Sequence, residues 1–169
     1  MIKFARIVTP LGTLFATAAG GALTGLYFEG GRHAPAISGA WVEHPAAAPL
    51  RECARQVNEY LQGKRQRFDL PLAPEGTEFQ RRVWLEIARI PFGETLTYAE
   101  LARRAGAPGA ARAAGAATGR NPLSIIVPCH RVVGTDGSLT GYAGGIERKA
   151  RLLEIEGVLP ALAVAGAAA

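Results

Sequence analysis

The sequence predicts an α+β chain of two small domains: a three-stranded antiparallel sheet with one helix over residues 1–76, and a helical domain over 77–158 carrying a helix-turn-helix and a β-wing. Three observations lead there. Short β-branched and apolar runs separated by turn residues fill the first thirty positions, a Pro-containing stretch without apolar period occupies 64–76, and two helical patterns, each begun by a threonine, follow it.

Ile2 to Val8, Thr13 to Ala18 and Leu23 to Phe28 read as the strands of a meander, with Thr9-Pro10-Leu11-Gly12 and Gly20-Gly21 as its turns. Residues 34–49 are rich in Pro and Ala and read as a loop. Leu50, Ala54, Val57 and Leu61 then repeat at helical spacing until Gly63, so one helix covers one face of the sheet. Cys53 neighbours that stripe and reads as a packed core thiol.

In the second half, Thr77 and Gln80 have capping-box spacing ahead of Phe79, Val83, Ile87 and Ile90, and Pro91 stops that helix. Thr97 and Glu100 repeat the pattern before Tyr98, Leu101, Ala102 and Ala105, ended by Gly106. After Ala107-Pro108-Gly109 comes a second short helix, Ala110 to Thr118, of Ala and Gly around a single Arg112. This outline fits a helix-turn-helix or an αα-corner. A helix so poor in base-reading side chains suits close approach to a minor groove rather than major-groove readout. Leu123 to Val127 reads as a short buried strand ending at Pro128, so that Cys129 sits at a strand end. Gly134-Thr135-Asp136-Gly137 reads as a hairpin turn and Ser138 to Tyr142 as the returning strand of the wing. Ile146 to Glu156 forms the last helix, closed by Gly157, and a disordered tail is expected at 159–169.

Composition narrows the partners. The formal net charge is +5; residues 1–78 hold 8 basic against 7 acidic side chains and residues 79–169 hold 11 against 7, which places the capacity for a polyanion in the second half. The two cysteines, Cys53 and Cys129, show neither disulfide crowding nor ligand spacing, so a reducing, cytoplasmic setting is expected. No apolar run has the length of a signal peptide core or a membrane span, and no membrane partner is expected. Cys53, His33 and His44 are too few and too scattered for a zinc site, so no metal is expected.

Chemistry concentrates at Pro128-Cys129-His130-Arg131. A thiolate attacks electrophiles, and a free thiol needs a neighbouring base or cation to form one at neutral pH. In an extended segment His130 would point away from Cys129, so it acts only across a turn or through water; otherwise it is a polar loop residue. Glu156 shares a helix face with Lys149, Leu152 and Leu153, in a last turn where the helix dipole disfavours a carboxylate. It is either a partner that fixes the tautomer of His130 or an exposed residue at a frayed end.

Asn121-Pro122, Ile125 to Val132, Gly141-Tyr142-Ala143-Gly144-Gly145, and upstream Phe79-Gln80, Gly93-Glu94-Thr95, Thr97-Tyr98 and Ala111-Arg112-Ala113 resemble the methylated-DNA-protein-cysteine methyltransferases. The resemblance covers roughly 79–158, and Thr9-Pro10-Leu11-Gly12 and Leu26-Tyr27-Phe28 resemble the family's first domain. It implies a ribonuclease H-like N-terminal domain and a winged-helix C-terminal domain that binds double-stranded DNA in the minor groove. It further implies flipping of O6-alkylguanine and irreversible alkyl transfer to a cysteine, with O4-methylthymine as a second substrate and no cofactor.

By the same resemblance Cys129 is the acceptor, His130 its water-mediated base, Glu156 the orienter of His130 and Asn121 the brace of the active-site turn. Tyr98 donates to the guanine ring nitrogen and crowds the adjacent phosphate. Arg112 fills the gap in the base stack, with Ala111, Thr118 and Arg120 as further DNA contacts. Val132, Tyr142 and Ala143 read the base and Lys149 supports the loop, while further copies of the chain along the DNA are additional partners. Two other readings remain: a winged-helix regulator or passive lesion reader, for which Cys129 is dispensable, and a cysteine hydrolase built on Cys129, His130 and Glu156.

Overall fold

The computed structural model describes residues 1–159; the expected tail lies, beyond Leu159, outside them. The chain divides into two compact units, Met1–Glu75 with Pro122–Ile126, and Gly76–Asn121 with Val127 onward. Among the described residues no helix is long and apolar enough to cross a membrane.

The first unit is built on β1 (Lys3–Thr9), β2 (Gly12–Ala19) and β3 (Ala22–Phe28), antiparallel neighbours as the alternation predicts. Gly20 and Gly21 both take positive φ, 60° and 81°, the geometry of a two-residue hairpin turn whose twist matches the strands. The sheet has a fourth strand that the loop-like composition of 34–49 conceals. β4 (Val42–Glu43) pairs parallel with β1, Lys3 opposite Val42. Its anchor is Trp41, whose ring lies 6.2 Å from that of Phe4 and 6.5 Å from that of Phe15. α1 (Ala48–Leu61) buries Leu50, Cys53, Val57 and Tyr60 and packs on β1, β2 and β3.

The 64–76 stretch is not a free linker. Leu23 N–H donates to the Pro71 carbonyl at 2.8 Å and Ala73 N–H to the Leu23 carbonyl at 2.8 Å, covering part of the β3 edge. The next part of that edge takes Pro122–Ile126: Leu26 N–H donates to the Pro122 carbonyl at 2.7 Å and Ser124 N–H to the Leu26 carbonyl at 3.0 Å. Leu123 to Val127 is therefore not the expected strand. It makes a single bridge to β3, Leu123 opposite Leu26, and then turns through Ile125, which sits at φ 71°.

In the second unit α2 (Glu78–Ala88) starts on the predicted capping box, with both reciprocal bonds between Thr77 and Gln80 present. A short β5 (Leu96–Thr97) leads into α3 (Tyr98–Arg104), where Thr97 caps the Glu100 amide at 3.2 Å. Only half of the second expected box forms, because the Glu100 carboxylate turns to Arg103 and Arg104 instead. α4 (Ala111–Gly119) follows the break and completes the helix-turn-helix. Trp84 of α2 donates its buried indole N–H to the Ala117 carbonyl of α4 at 2.8 Å.

The expected β-hairpin of the wing is absent. β6 (Val132–Val133) pairs parallel with β5, and residues 138–142 form no strand. The reason lies in α5 (Ile146–Ile155), whose Lys149 ammonium takes the carbonyls of Val132, Thr140 and Gly141 that a hairpin ladder would need.

Candidate active site

Cys129 opens a single 3-10 turn, Cys129–Arg131, rather than closing a strand. Pro128 supplies the entry at φ −80° and ψ 64°, and the Cys129 amide donates back to the Val127 carbonyl at 2.8 Å. Asn121 braces this approach, its side-chain amide donating to the Val127 carbonyl at 2.9 Å from a buried position. That bond ties together the residues on either side of Pro122–Ile126.

The tight turn changes what neighbours in sequence can reach. His130 and Arg131 both point at Glu156, the C-cap of α5, which is buried rather than frayed. His130 Nε2 lies 2.7 Å from Glu156 Oε2; with the hydrogen on Nε2, the basic ring nitrogen is Nδ1. Arg131 forms a fork on the same carboxylate, Nε to Oε1 at 2.8 Å and Nη2 to Oε2 at 2.9 Å, and donates Nη1 to the Ile90 carbonyl at 2.6 Å. The Gly93 amide adds a longer bond to Oε1 at 3.4 Å. Arg131 also lies 5.8 Å from the Phe92 ring centroid. Arg131 closes the Pro128-Cys129-His130-Arg131 run, but nothing in linear spacing shows that residue i+1 of a turn reaches the carboxylate its neighbour binds.

The electrostatics follow from burial. Burial pushes the Cys129 thiol up from its ordinary value, while the Asn121 hydrogen bond and the Lys149 charge pull it down less strongly. Burial also lowers His130, against the opposing pull of Glu156, with Arg131 and Lys149 adding to the lowering. Lys149, fully buried, is lowered to about 8 by burial and drawn back up by Cys129. Burial thus favours a thiol at Cys129 and a neutral imidazole at His130, with one carboxylate and one guanidinium compensating each other. Cys53, in the α1 core, is raised to about 12 by burial alone and has no such surroundings.

Lys149 ties β6 to the loop before α5. It donates to the carbonyls of Val132 at 2.6 Å, Thr140 at 2.7 Å and Gly141 at 3.3 Å, and its nitrogen lies 5.9 Å from the Tyr98 ring centroid. Tyr98 is half-buried at the start of α3 and its hydroxyl donates to the Thr140 carbonyl at 3.3 Å. Cys129, His130, Glu156, Asn121, Lys149 and Val132 are all buried in this unit, and Tyr142 and Ala143 stand half-buried in the loop before α5. Arg112 and Arg120 are exposed and Ala111 partly so, on α4 and its C-cap. Thr118 departs from its expected DNA-facing place: it is buried and its hydroxyl donates to the Ala114 carbonyl one turn back at 2.7 Å. Among the described residues no three His, Cys, Asp or Glu side chains gather as a metal site.

Residues 2–74 match the ribonuclease-like domain of 6-O-methylguanine DNA methyltransferase, and residues 78–158 match its DNA binding domain. A methylated-DNA--protein-cysteine methyltransferase of Mycolicibacterium paratuberculosis is 44% identical over 92% of this chain and 93% of its own. One from Methanosarcina barkeri is 47% identical over 89% and 94%. The crystal structure of Mycobacterium tuberculosis OGT in complex with DNA superposes with a TM-score of 0.87 at 45% identity, covering 92% of this chain and 93% of that one. Matched in both halves by the family's own domains and along nearly its whole length by these relatives, the chain belongs to the methylated-DNA--protein-cysteine methyltransferase family.

Proposed function

We propose that this chain repairs O6-alkylguanine, and O4-methylthymine, in DNA by direct reversal, moving the alkyl group once and irreversibly to Cys129. The observation that carries the reading is the turn itself: a buried cysteine followed by a histidine whose Nε2 is held 2.7 Å from a buried carboxylate.

The thiol proton passes toward His130 Nδ1 through a bridging water, and Sγ attacks the alkyl carbon. The new S–C bond forms as the C–O6 bond breaks, and its electron pair remains on guanine O6 and the ring. The Tyr98 hydroxyl, turning from the Thr140 carbonyl, meets the charge that develops on the ring nitrogen. His130 carries its proton against Glu156 and returns it to the leaving base. The product is a thioether, which has no carbonyl for water to attack, so the cysteine is consumed.

The lesion reaches a buried thiol only if it leaves the duplex, and flipping costs least for a base whose pairing is already impaired. α4, smooth and bearing exposed Arg112, enters the minor groove, with Arg112 taking the flipped base's place in the stack. Ala111 and Arg120 lie at the two ends of that helix, where neighbouring phosphates pass, and further copies can bind along the same DNA. Val132, Tyr142 and Ala143 line the base pocket. A reducing compartment such as the cytoplasm suits an unpaired reactive thiol.

The test is intact-protein mass after incubation with a duplex carrying one O6-methylguanine, followed by peptide mapping. One added methyl on the Cys129 peptide, absent in Cys129→Ser, is the expected result. Tight lesion binding without a mass change would instead favour a passive reader.

A further inference from the structure

Glu156 is asked to do two things that conflict. A lone carboxylate 2.7 Å from a buried imidazole would orient it but would also pull a proton onto it, and an imidazolium cannot accept the thiol proton. Arg131 lies on the other side of that carboxylate with two parallel bonds, and its remaining nitrogen is fixed on the Ile90 carbonyl. The fork leaves the carboxylate's geometry intact while compensating its charge.

We infer that Arg131 is a positioning residue of the alkyl transfer, which neutralises Glu156 so that the carboxylate orients His130 as a neutral base instead of locking it as an imidazolium. The inference rests on the proposed role of His130 and adds to it the group that keeps the base available. The charged and titratable groups facing His130 are Cys129 and Arg131 from its own turn and Glu156 and Lys149 from α5 and its C-cap. From the loop behind α2 the Ile90 carbonyl and the Phe92 ring meet Arg131 and the Gly93 amide meets Glu156, and the Glu86–Arg89 pair at that end of α2 is bonded to itself. Arg131 is thus the guanidinium that meets Glu156 within this cluster.

Removing Arg131 acts on His130 in one direction twice. The nearby positive charge that disfavours imidazolium disappears, and the carboxylate that favours it is left uncompensated. The His130–Glu156 pair then holds a proton to higher pH, and the acid limb of the transfer rate moves up by about one pH unit or more.

The experiment compares wild type, Arg131→Gln and Arg131→Lys on O6-methylguanine duplex across pH, with the His130 ring titrated by NMR in each. Arg131→Gln is expected to shift the acid limb and the His130 titration upward together. Arg131→Lys, which keeps the charge and loses the fork, is expected to restore most of both. If folded Arg131→Gln keeps the wild-type profile and His130 titration, with only its melting temperature lowered, Arg131 is structural and the inference is wrong. Should Arg131→Gln not fold, Arg131→Lys and Arg131→Lys/Glu156→Gln carry the comparison: an acid limb unmoved by loss of the carboxylate overturns the inference equally. Absence of methyl transfer by wild type would overturn the functional reading instead, and the His130 titration would still report on Arg131.

Discussion

Replacing Glu156 by Gln tests the cluster at its centre. The substitution keeps the shape of the side chain and removes its charge, leaving the Arg131 guanidinium, with a side chain 8% exposed, without its carboxylate. Glu156 accepts from Arg131 Nε at 2.8 Å, Arg131 Nη2 at 2.9 Å, His130 Nε2 at 2.7 Å and the Gly93 amide at 3.4 Å, and one amide oxygen cannot replace two carboxylate oxygens in that role. Breaking a buried ion pair from one side costs about 3–5 kcal/mol, because the remaining charge stays buried. For a chain of this size each kcal/mol lowers the melting temperature by roughly 2–4 °C. Glu156→Gln should therefore melt roughly 6–20 °C below wild type in a circular-dichroism scan. The double variant Arg131→Met/Glu156→Gln removes both charges and should recover most of that loss while still transferring alkyl slowly, since His130 has lost its orienter. A single variant melting within about 2 °C of wild type would refute the reasoning.

Other predictions follow from neighbouring groups. Lys149 titrates in the folded chain at about 8, below the ordinary 10.5. The folded state thus binds its proton less firmly than the unfolded one, and this group's contribution to stability rises with pH through that interval. Above about 8 the ammonium also loses a donor to the pocket carbonyls, so alkyl transfer should fall on the alkaline side instead of climbing as for a simple thiol; Lys149→Met should lack that limb in stopped-flow assays. Asn121→Ala leaves the buried Val127 carbonyl without its side-chain donor and should cost about 1–3 kcal/mol in urea unfolding, with slower alkylation of Cys129. Arg112→Glu, on an exposed position, should leave the melting temperature unchanged, lower duplex affinity at least about tenfold by anisotropy, and reduce the salt slope by roughly 1. Unchanged affinity would remove Arg112 from the DNA interface.

What was legible in the sequence is what local chemistry decides. Gly20-Gly21, the Thr77–Gln80 box and the α1 stripe announce themselves because turn conformation, capping and helical period act over a few residues. β4 escaped notice because two residues in a Pro- and Ala-rich stretch have no period; a tryptophan packed on a distant strand holds them. The wing was misread for a related reason. Its Gly-rich turn is present, with the Gly134 amide bonded to the Ser138 carbonyl at 2.9 Å, but a lysine from a later helix takes the carbonyls that a second strand would use. The helix face of Glu156 allows either a buried partner of His130 or a frayed end, and the structure buries it; the target of Arg131 has no such sign, since it depends on the 3-10 turn. Thr118 misled because a helical threonine can face outward or bond back to the preceding turn, and here it does the latter.

The most direct test of the account is a count of lesions repaired per molecule. Protein with titrated Cys129 thiol is mixed with an excess of O6-methylguanine duplex, and restored guanine is measured to completion. The account predicts a plateau at one guanine per Cys129, with no further repair on adding DNA. Repair that continues past one per cysteine would contradict irreversible transfer to Cys129.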